Sequence, residues 1–385
     1  MKYKITLFIL FIPQLIFTQN PGTDTLSLLF MGDIMGHDSQ IHAAYNAKDT
    51  SYNYDTYFTH LKGIIDDADF TVANLELTLA GPPFKGYPKF SSPDALAYSI
   101  KKAGIDILTT ANNHSCDRGK EGLLRTIKVL DSLGIKHTGT FKDTADKKLN
   151  HPLFVEKNGF KIAFLNYTYG TNGLRVPPPA SVNYIRWKKI KQDIKKAREA
   201  KPDQIIVLFH WGKQYESHPN DGQKKLFNYC KNLGANIVIG SHPHVLQKME
   251  WNKKDNKESL VAYSLGNFIS NQRKRKRDGG AMVKITLTKT DSTVSISDAG
   301  YFLTWVHKPI KNKKYKFTIL PASKFERQYP DSLNKTSSAK MKLFIKDSRK
   351  LLNKENLNFP EYQYNDSLKV WDNKNVRSGK KILNN

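Results

Sequence analysis

The hydrophobic residues fall into short runs that break off sharply at polar groups. Ile205 to Phe209 ends on His210, and Ile237 to Ile239 ends on Gly240-Ser241-His242-Pro243-His244. Both runs are rich in Ile and Val and bounded by polar positions and glycine, the pattern of strands buried on both faces. Between them, Gly222 to Leu233 carries Leu226, Tyr229, Cys230 and Leu233 at helical spacing and stops at Gly234. The stretch predicts a strand-helix-strand unit whose two strands both deliver histidine at the carboxyl end. In open α/β sheets that end is where ligands sit.

The same ending recurs along the chain. Thr25 to Met31 runs into Gly32-Asp33, Phe70 to Ala73 into Asn74-Leu75-Glu76, Ile105 to Thr110 into Ala111-Asn112-Asn113-His114, and Leu260 to Leu265 into Gly266-Asn267-Phe268. Helices are predicted from Ser92-Pro93 to about Ala103 and from Gly119 to Leu133, closed by Gly104 and Gly134. Repeated helix-glycine-strand joints imply βα units and a mostly parallel sheet, in a two-layer or four-layer α/β domain. Past Asn267 the pattern alternates. Ala281 to Leu287, Thr293 to Ile296 and Tyr301 to Val306 predict an antiparallel meander completing a second sheet. From about Lys311 the chain is Lys-rich, with one helix expected over Met341 to Leu352 and a loose tail from about Asn365 to Asn385.

A chain of 385 residues with 39% hydrophobic content buries a sizeable core. Its net charge of +26 favours an anionic partner, such as a phosphorylated substrate, an acidic polymer or an anionic envelope surface. A lysine-rich proteome would produce the same excess. Lys2 and Lys4 precede the apolar run Ile5 to Phe17, which reads as an export signal over residues 1–19. The run is shorter than the roughly 20 apolar residues of a spanning helix. An exported protein of the periplasm or cell envelope is expected, with an uncleaved anchor as the alternative. Cys116 and Cys230 are too few for a disulfide framework, although one bridge stays open. Cys116 is read as an incidental or structural thiol.

Asp33, Glu76, Asn113, His114, His210, His242 and His244 offer carboxylate oxygens, an amide oxygen and imidazoles. A mixed oxygen and nitrogen set suits Zn, Mn or Fe, whereas an all-oxygen set points to Mg or Ca. A carboxylate such as Asp33 or Glu76 can bridge two ions about 3.5–4 Å apart. In His-Pro-His the proline restricts the backbone between two imidazoles. Any one of these groups alone would be a capped turn or a satisfied histidine; recurrence at successive strand ends makes ligation the better reading. His37, His42, His60, His137, His151, His218 and His307 lack such placement and are read as surface or satisfied.

Gly32-Asp33-Ile34-Met35, Asn74-Leu75-Glu76, Ala111-Asn112-Asn113-His114 with Asp117 and Gly119, His210-Trp211-Gly212, Gly240-Ser241-His242-Pro243-His244-Val245 and Ser264-Leu265-Gly266-Asn267-Phe268 occur in this order. Together, over Leu26 to Phe302, they resemble the CapA family of capsule and poly-γ-glutamate synthesis proteins, which is similar to calcineurin-like metallophosphatases. The resemblance implies a four-layer αββα metallophosphatase-like sandwich with two mixed sheets over residues 25–310. A basic, partly helical extension with a loose tail is expected over 311–385. The resemblance further implies two divalent metal ions, Mn, Fe or Zn. Asp33 and His244 would serve the first, Asn113, His210 and His242 the second, and Glu76 both. His114 would assist the transition state or leaving group while a metal-bound hydroxide hydrolyses a phosphoester. Met35 stands where the phosphatases carry a histidine, and Asn74-Leu75-Glu76 where they carry Gly-Asp. These departures bear on turnover more than on metal binding. Two other functions fit the same fold: a non-catalytic polymer-handling or assembly subunit, and a metallohydrolase cleaving an amide bond of the polymer.

Asn74, Trp211, Glu216, Asn267, Arg273 and Arg275 are the candidate substrate-binding residues. Arg273 and Arg275 belong to Gln272 to Arg277, a loop with five positive charges directly after the Gly-Asn-Phe strand end. Trp211 either lines the cleft with Tyr215 or packs beneath the metal layer. The expected partners are an anionic polymer or a phosphorylated small substrate, and a membrane-bound capsule synthesis complex. Nucleic acid is not expected, because no recognised nucleic-acid fold is present.

Overall fold

The computed structural model describes residues 24–254, 257–291, 293–311, 313–327 and 333–373. The segment read as an export signal and the end of the expected tail lie outside them. The first part of the chain alternates strands and helices: β1 (Asp24–Ile34), β2 (Phe70–Leu75), α1 (Ala95–Lys102), β3 (Ile107–Thr109), α2 (Gly119–Ser132) and β4 (Lys136–Thr138). A second series follows, with β5 (Leu153–Lys157), β6 (Phe160–Thr168), α3 (Trp187–Glu199), β7 (Gln204–His210), α4 (Asp221–Asn232), β8 (Ile237–Ser241), β9 (Met249–Lys254) and β10 (Lys257–Ala262). The chain then returns through β11 (Asn267–Ile269), β12 (Gly279–Thr290), β13 (Thr293–His307) and β14 (Thr318–Pro321) to α5 (Lys335–Glu355).

Each series builds one sheet. The first has the order β14-β13-β12-β1-β2-β3-β4, with β11 beside the end of β1. β1 to β4 run parallel, while β12, β13 and β14 add antiparallel neighbours. The second has the order β9-β10-β8-β7-β6-β5, a parallel centre with antiparallel edges. Both sheets are therefore mixed. The meander expected to complete a second sheet instead extends the first, because β12 pairs with β1 from Asp24↔Lys289 to Met31↔Met282. The two strands expected at 293–296 and 301–306 are one strand, which absorbs a register slip as a bulge at Ser297, opposite Thr286 and Leu287.

Alternate residues of the central strands face opposite ways, and both faces are covered. Leu26, Leu28 and Phe30 meet Ile162, Phe164, Ile206 and Leu208 between the sheets. Leu29, Met31 and Ala73 pack under α1 through Leu96, Ala97 and Ile100. On the far side, Leu165, Val207 and Val238 pack under α3 and α4 through Ile190, Ile194, Leu226 and Cys230. The result is a four-layer αββα sandwich. Burial on both faces explains why the strands read as continuous apolar runs. α4 begins at Asn220, where a capping box with Gln223 sets its start.

The residues beyond 311 are more than an appended extension. β14 pairs with β13, and Met341, Phe344, Ile345 and Leu352 of α5 join the core between the sheets. The expected loose tail is ordered over a hairpin, β15 (Gln363–Asn365) with β16 (Val370–Asp372), whose Trp371 packs edge-on against Phe302.

Candidate metal centre

The parallel strands of both sheets point their carboxyl ends at one place. Asp33 lies near the end of β1, in register with Asn74 of β2 and Asn267 of β11. Glu76 follows β2, Asn113 and His114 follow β3, His210 ends β7, and His242 and His244 follow β8. All seven of the side chains expected at the site are buried there. The backbone turns through positive φ at both His242 (97°) and His244 (56°), sparsely populated conformations for side-chain-bearing residues. That strain is held by packing and aims both rings inward.

Glu76 is the focus. It is 0% exposed, and neither carboxylate oxygen has a hydrogen-bond partner among the described residues. Its Oε1 lies 3.6 Å from His210 Nε2 and 3.6 Å from His244 Nε2. Burial, and next the neighbouring Asp33 carboxylate, hold the Glu76 carboxyl well above its ordinary pKa. Burial, and next the other histidines, push His210 well below its ordinary value and His242 down to about 3. Neutral imidazoles are the form that ligates a metal.

The second layer fixes which atoms face in. Asn74 Nδ2 donates to Asp33 Oδ1 at 2.7 Å, and Asp33 Oδ2 sits 3.1 Å from His244 Nδ1. Asn267 Oδ1 is also 3.1 Å from His244 Nδ1, leaving His244 Nε2, which has no hydrogen-bond partner among the described residues, toward Glu76. Ser241 Oγ donates to the Phe209 carbonyl and lies 3.0 Å from His210 Nδ1, which Asn74 Nδ2 also faces at 3.3 Å. Asn113 Nδ2 donates to Asn172 at 3.2 Å, turning its Oδ1 to 2.6 Å from His210 Nε2. His242 Nδ1 is 3.0 Å from the same nitrogen. Asn113 Oδ1 and His242 Nδ1 thus both lie within 3.0 Å of His210 Nε2, a close set of oxygen and nitrogen donors of the kind that meets a cation. Two sets of donor atoms within 4.8 Å of one another, Glu76-His242-His244 and Asp33-Glu76-His210, share Glu76. The residues fit a metal on the chemistry of the donors and on the unpartnered oxygens of Glu76.

His114 stands beside this cluster with Nδ1 2.7 Å from Asp117 Oδ2, an oxygen that also accepts from the Phe90 amide. Its ring meets Phe90 edge-on at 4.7 Å, so Nε2 is the atom left for chemistry.

The candidate substrate contacts fall in different surroundings. Trp211 is 2% exposed, stacks on Phe209 and donates Nε1 to the Tyr263 carbonyl at 2.9 Å, so it packs in the outer core. Asn74 and Asn267 are buried, where they contact Asp33 and His244. Arg275 is committed to Asp347 and Asp278 at 2.9 and 3.1 Å. Glu216 is exposed but paired with Lys213 at 2.7 Å, and the Arg273 guanidinium lies over Trp305. Cys116 and Cys230 are both free and buried, in separate clusters.

Other residues border the centre. Tyr169, half-exposed, lies with its ring 4.5 Å from His242. Tyr215, with φ of 70°, lies 6.2 Å from the His244 ring, and the Arg277 guanidinium rests 3.2 Å over its face. His37 is satisfied by the Asn271 amide at 3.2 Å; burial first, and then His244 and His114, lower its pKa to about 4. Tyr169 directly follows β6, so the strand-end rule that located the other groups would have found it.

Residues 27–272 match the model of a family described as bacterial capsule synthesis protein PGA_cap. The chain is 27% identical over 285 residues to the capsule biosynthesis protein CapA of Bacillus anthracis, covering 70% of this chain and 66% of that protein. It is 28% identical over 277 residues to the PGA biosynthesis protein CapA of Bacillus subtilis strain 168, covering 69% of each. The chain thus spans just under two thirds of the B. anthracis relative. Among solved structures, the calcineurin-like phosphoesterase YfkN of B. subtilis aligns over 86% of this chain and 99% of its own, with 16% identity and a TM-score of 0.43. The Haemophilus influenzae NAD nucleotidase aligns over 88% and 64%, with 14% identity and a TM-score of 0.48. Likeness at this level bears on neither substrate nor reaction.

Proposed function

Because the chain belongs to the PGA_cap family of bacterial capsule synthesis proteins, we propose that it serves the formation of a capsule or poly-γ-glutamate-type polymer as a metal-dependent hydrolase of a phosphoester. The observation that carries this reading is Glu76. A buried carboxylate with both oxygens unpartnered is costly unless a cation meets it, and two histidine nitrogens flank it at 3.6 Å. The proposed complement is two divalent ions, Mn, Fe or Zn. Asp33, Glu76, Asn113, His210, His242 and His244 would hold them. When bound, such ions act as Lewis acids and lower the pKa of a coordinated water.

The chain's own residues do the rest. Asn74, Asn267 and Ser241 orient the ligands. Asp117 holds the His114 ring so that its Nε2 carries the proton given to the departing oxygen. Tyr169 and Tyr215 form half-exposed walls on either side of the histidines. Export to the periplasm or cell envelope, with the 1–19 segment as signal or anchor, belongs to the same proposal, as does work beside a membrane-bound synthesis complex.

Met35 favours a second reading. It is 2% exposed where the phosphatases carry a histidine, which suits a polymer-handling subunit that binds metal without turnover. A chromogenic phosphodiester assay separates the two. Hydrolysis that appears on loading Mn, Zn or Fe and disappears on chelation is expected for the hydrolase; metal-loaded protein without turnover of any phosphoester overturns it.

A further inference from the structure

A groove of about 360 Å³ lies between the loop after β7, the segment after His244 and α5. Its lining is apolar at Val245, Leu246 and Leu351 and carries the cations Lys276, Lys350 and Lys354, while its two carboxylates are engaged, Asp347 with Arg275 at 2.9 Å and Glu355 with His218 at 3.9 Å. Lys350 and Lys354 are exposed, four residues apart on one helix face, and neither joins an ion pair among the described residues. Lys276 stands at φ 77°, a backbone conformation unfavourable for lysine, at the tip of the basic loop.

The groove adjoins the metal centre through the chain that links them. Val245 directly follows His244, and Tyr215, whose amide donates to the Pro243 carbonyl at 2.8 Å, carries the Arg277 guanidinium beside the His244 ring. Gln247 Nε2 ties this segment to the carbonyls of Glu216 and His218. Arg277, stacked on Tyr215, is the chain neighbour of Lys276, which lines the groove with Lys350 and Lys354.

From this geometry we infer that the groove holds one strand of a linear polycarboxylate, an acidic polymer whose pendant carboxylates meet the lysines while its methylene groups lie on the apolar part of the lining. A polyphosphate has the charge to match the lysines but no apolar portion for Val245, Leu246 and Leu351. The inference rests on the polymer reading above and extends it to a binding groove outside the metal ligands. It gives the +26 charge a local use, since steering by net charge alone needs no groove.

The test is fluorescence anisotropy of labelled poly-γ-glutamate on the full chain at about 0.15 M salt, where long-range attraction is screened. Lys350→Glu with Lys354→Glu is compared with Lys191→Glu with Lys195→Glu, an exposed pair of equal spacing and charge on the remote α3. The groove pair is expected to weaken binding roughly tenfold or more and the α3 pair less than about threefold. Binding of the polymer by wild-type protein is expected to survive chelation, and polyphosphate is expected to compete poorly. Equal losses in the two variants, or none in the groove pair, overturn the inference, as does polyphosphate binding that is tighter and equally groove-dependent. Unchanged melting and elemental analysis of the same samples separate the failures. Groove binding lost with metal stoichiometry intact leaves the metal centre standing. Metal-free protein that still needs Lys350 and Lys354 for the polymer leaves the groove standing.

Discussion

Glu76→Gln is expected to remove bound metal and, at the same time, to make the metal-free protein more stable. The side chain is 0% exposed and its carboxylate has no hydrogen-bond partner among the described residues, while Asp33 adds a second negative charge nearby. Glutamine keeps the shape and removes the charge, so in the chelated protein it relieves a desolvation cost of about 1–3 kcal/mol. Its amide can donate to Asp33 or to a histidine nitrogen. The melting temperature after chelation should rise by roughly 2–5 °C. Metal affinity should fall more than about 100-fold, because a ligand is lost outright where even an outer-shell change costs 10–100-fold. Differential scanning calorimetry with and without chelator reads both effects. A residue kept only for packing would behave oppositely, melting earlier when changed and leaving metal content alone. Stability sacrificed for a site is the expected trade where function needs an uncompensated charge.

His114→Asn is expected to lower kcat by about 10²–10⁴ with metal stoichiometry unchanged, the range for losing a positioned general acid. The leaving group distinguishes this role from a structural one. A p-nitrophenyl ester releases an anion that needs no proton, so its hydrolysis should suffer far less than that of an alkyl ester. Asp117→Asn should show the same leaving-group dependence at smaller size, since Asp117 acts only through the 2.7 Å contact with His114 Nδ1. Equal losses for both esters would make His114 a packing residue against Phe90.

The positions of the candidate site stand out in the sequence because the strands that deliver them are buried on both faces. Ile205 to Phe209 and Ile237 to Ile239 are apolar throughout, so the polar residue that ends each one stands out. β6 was less visible. Lys161 and Asn166 interrupt its apolar run, and Asn166 is there to satisfy the Ala111 amide and the Leu208 carbonyl, long-range partners with no local signature. Tyr169 was missed with it. The length of β13 was hidden in the same way by Asp298 and Gly300, which break the alternation. Asp298 accepts from Asn373, and Gly300 lies against Tyr362 and the Pro360 carbonyl.

Charge was harder to assign than fold. Nothing local distinguishes Arg275 from Arg277, two residues apart in one basic loop. Arg275 is spent on Asp347, 72 positions away, while Arg277 rests on Tyr215 at the mouth of the site. Trp211 adjoins His210, but neighbouring residues of a strand end point to opposite faces, and Trp211 falls on the helix side with Phe227 and Tyr263.

Elemental analysis of the purified protein beside His242→Ala with His244→Ala, both loaded with Mn or Zn and then dialysed, tests the metal centre most directly. The two rings lie around Glu76 at the end of one strand, and removing them should leave the apolar layers of both sheets intact. About two ions per chain in the natural sequence and well under one in the variant, with circular dichroism unchanged, is the predicted result. Equal metal in both proteins, or none in either, would contradict it.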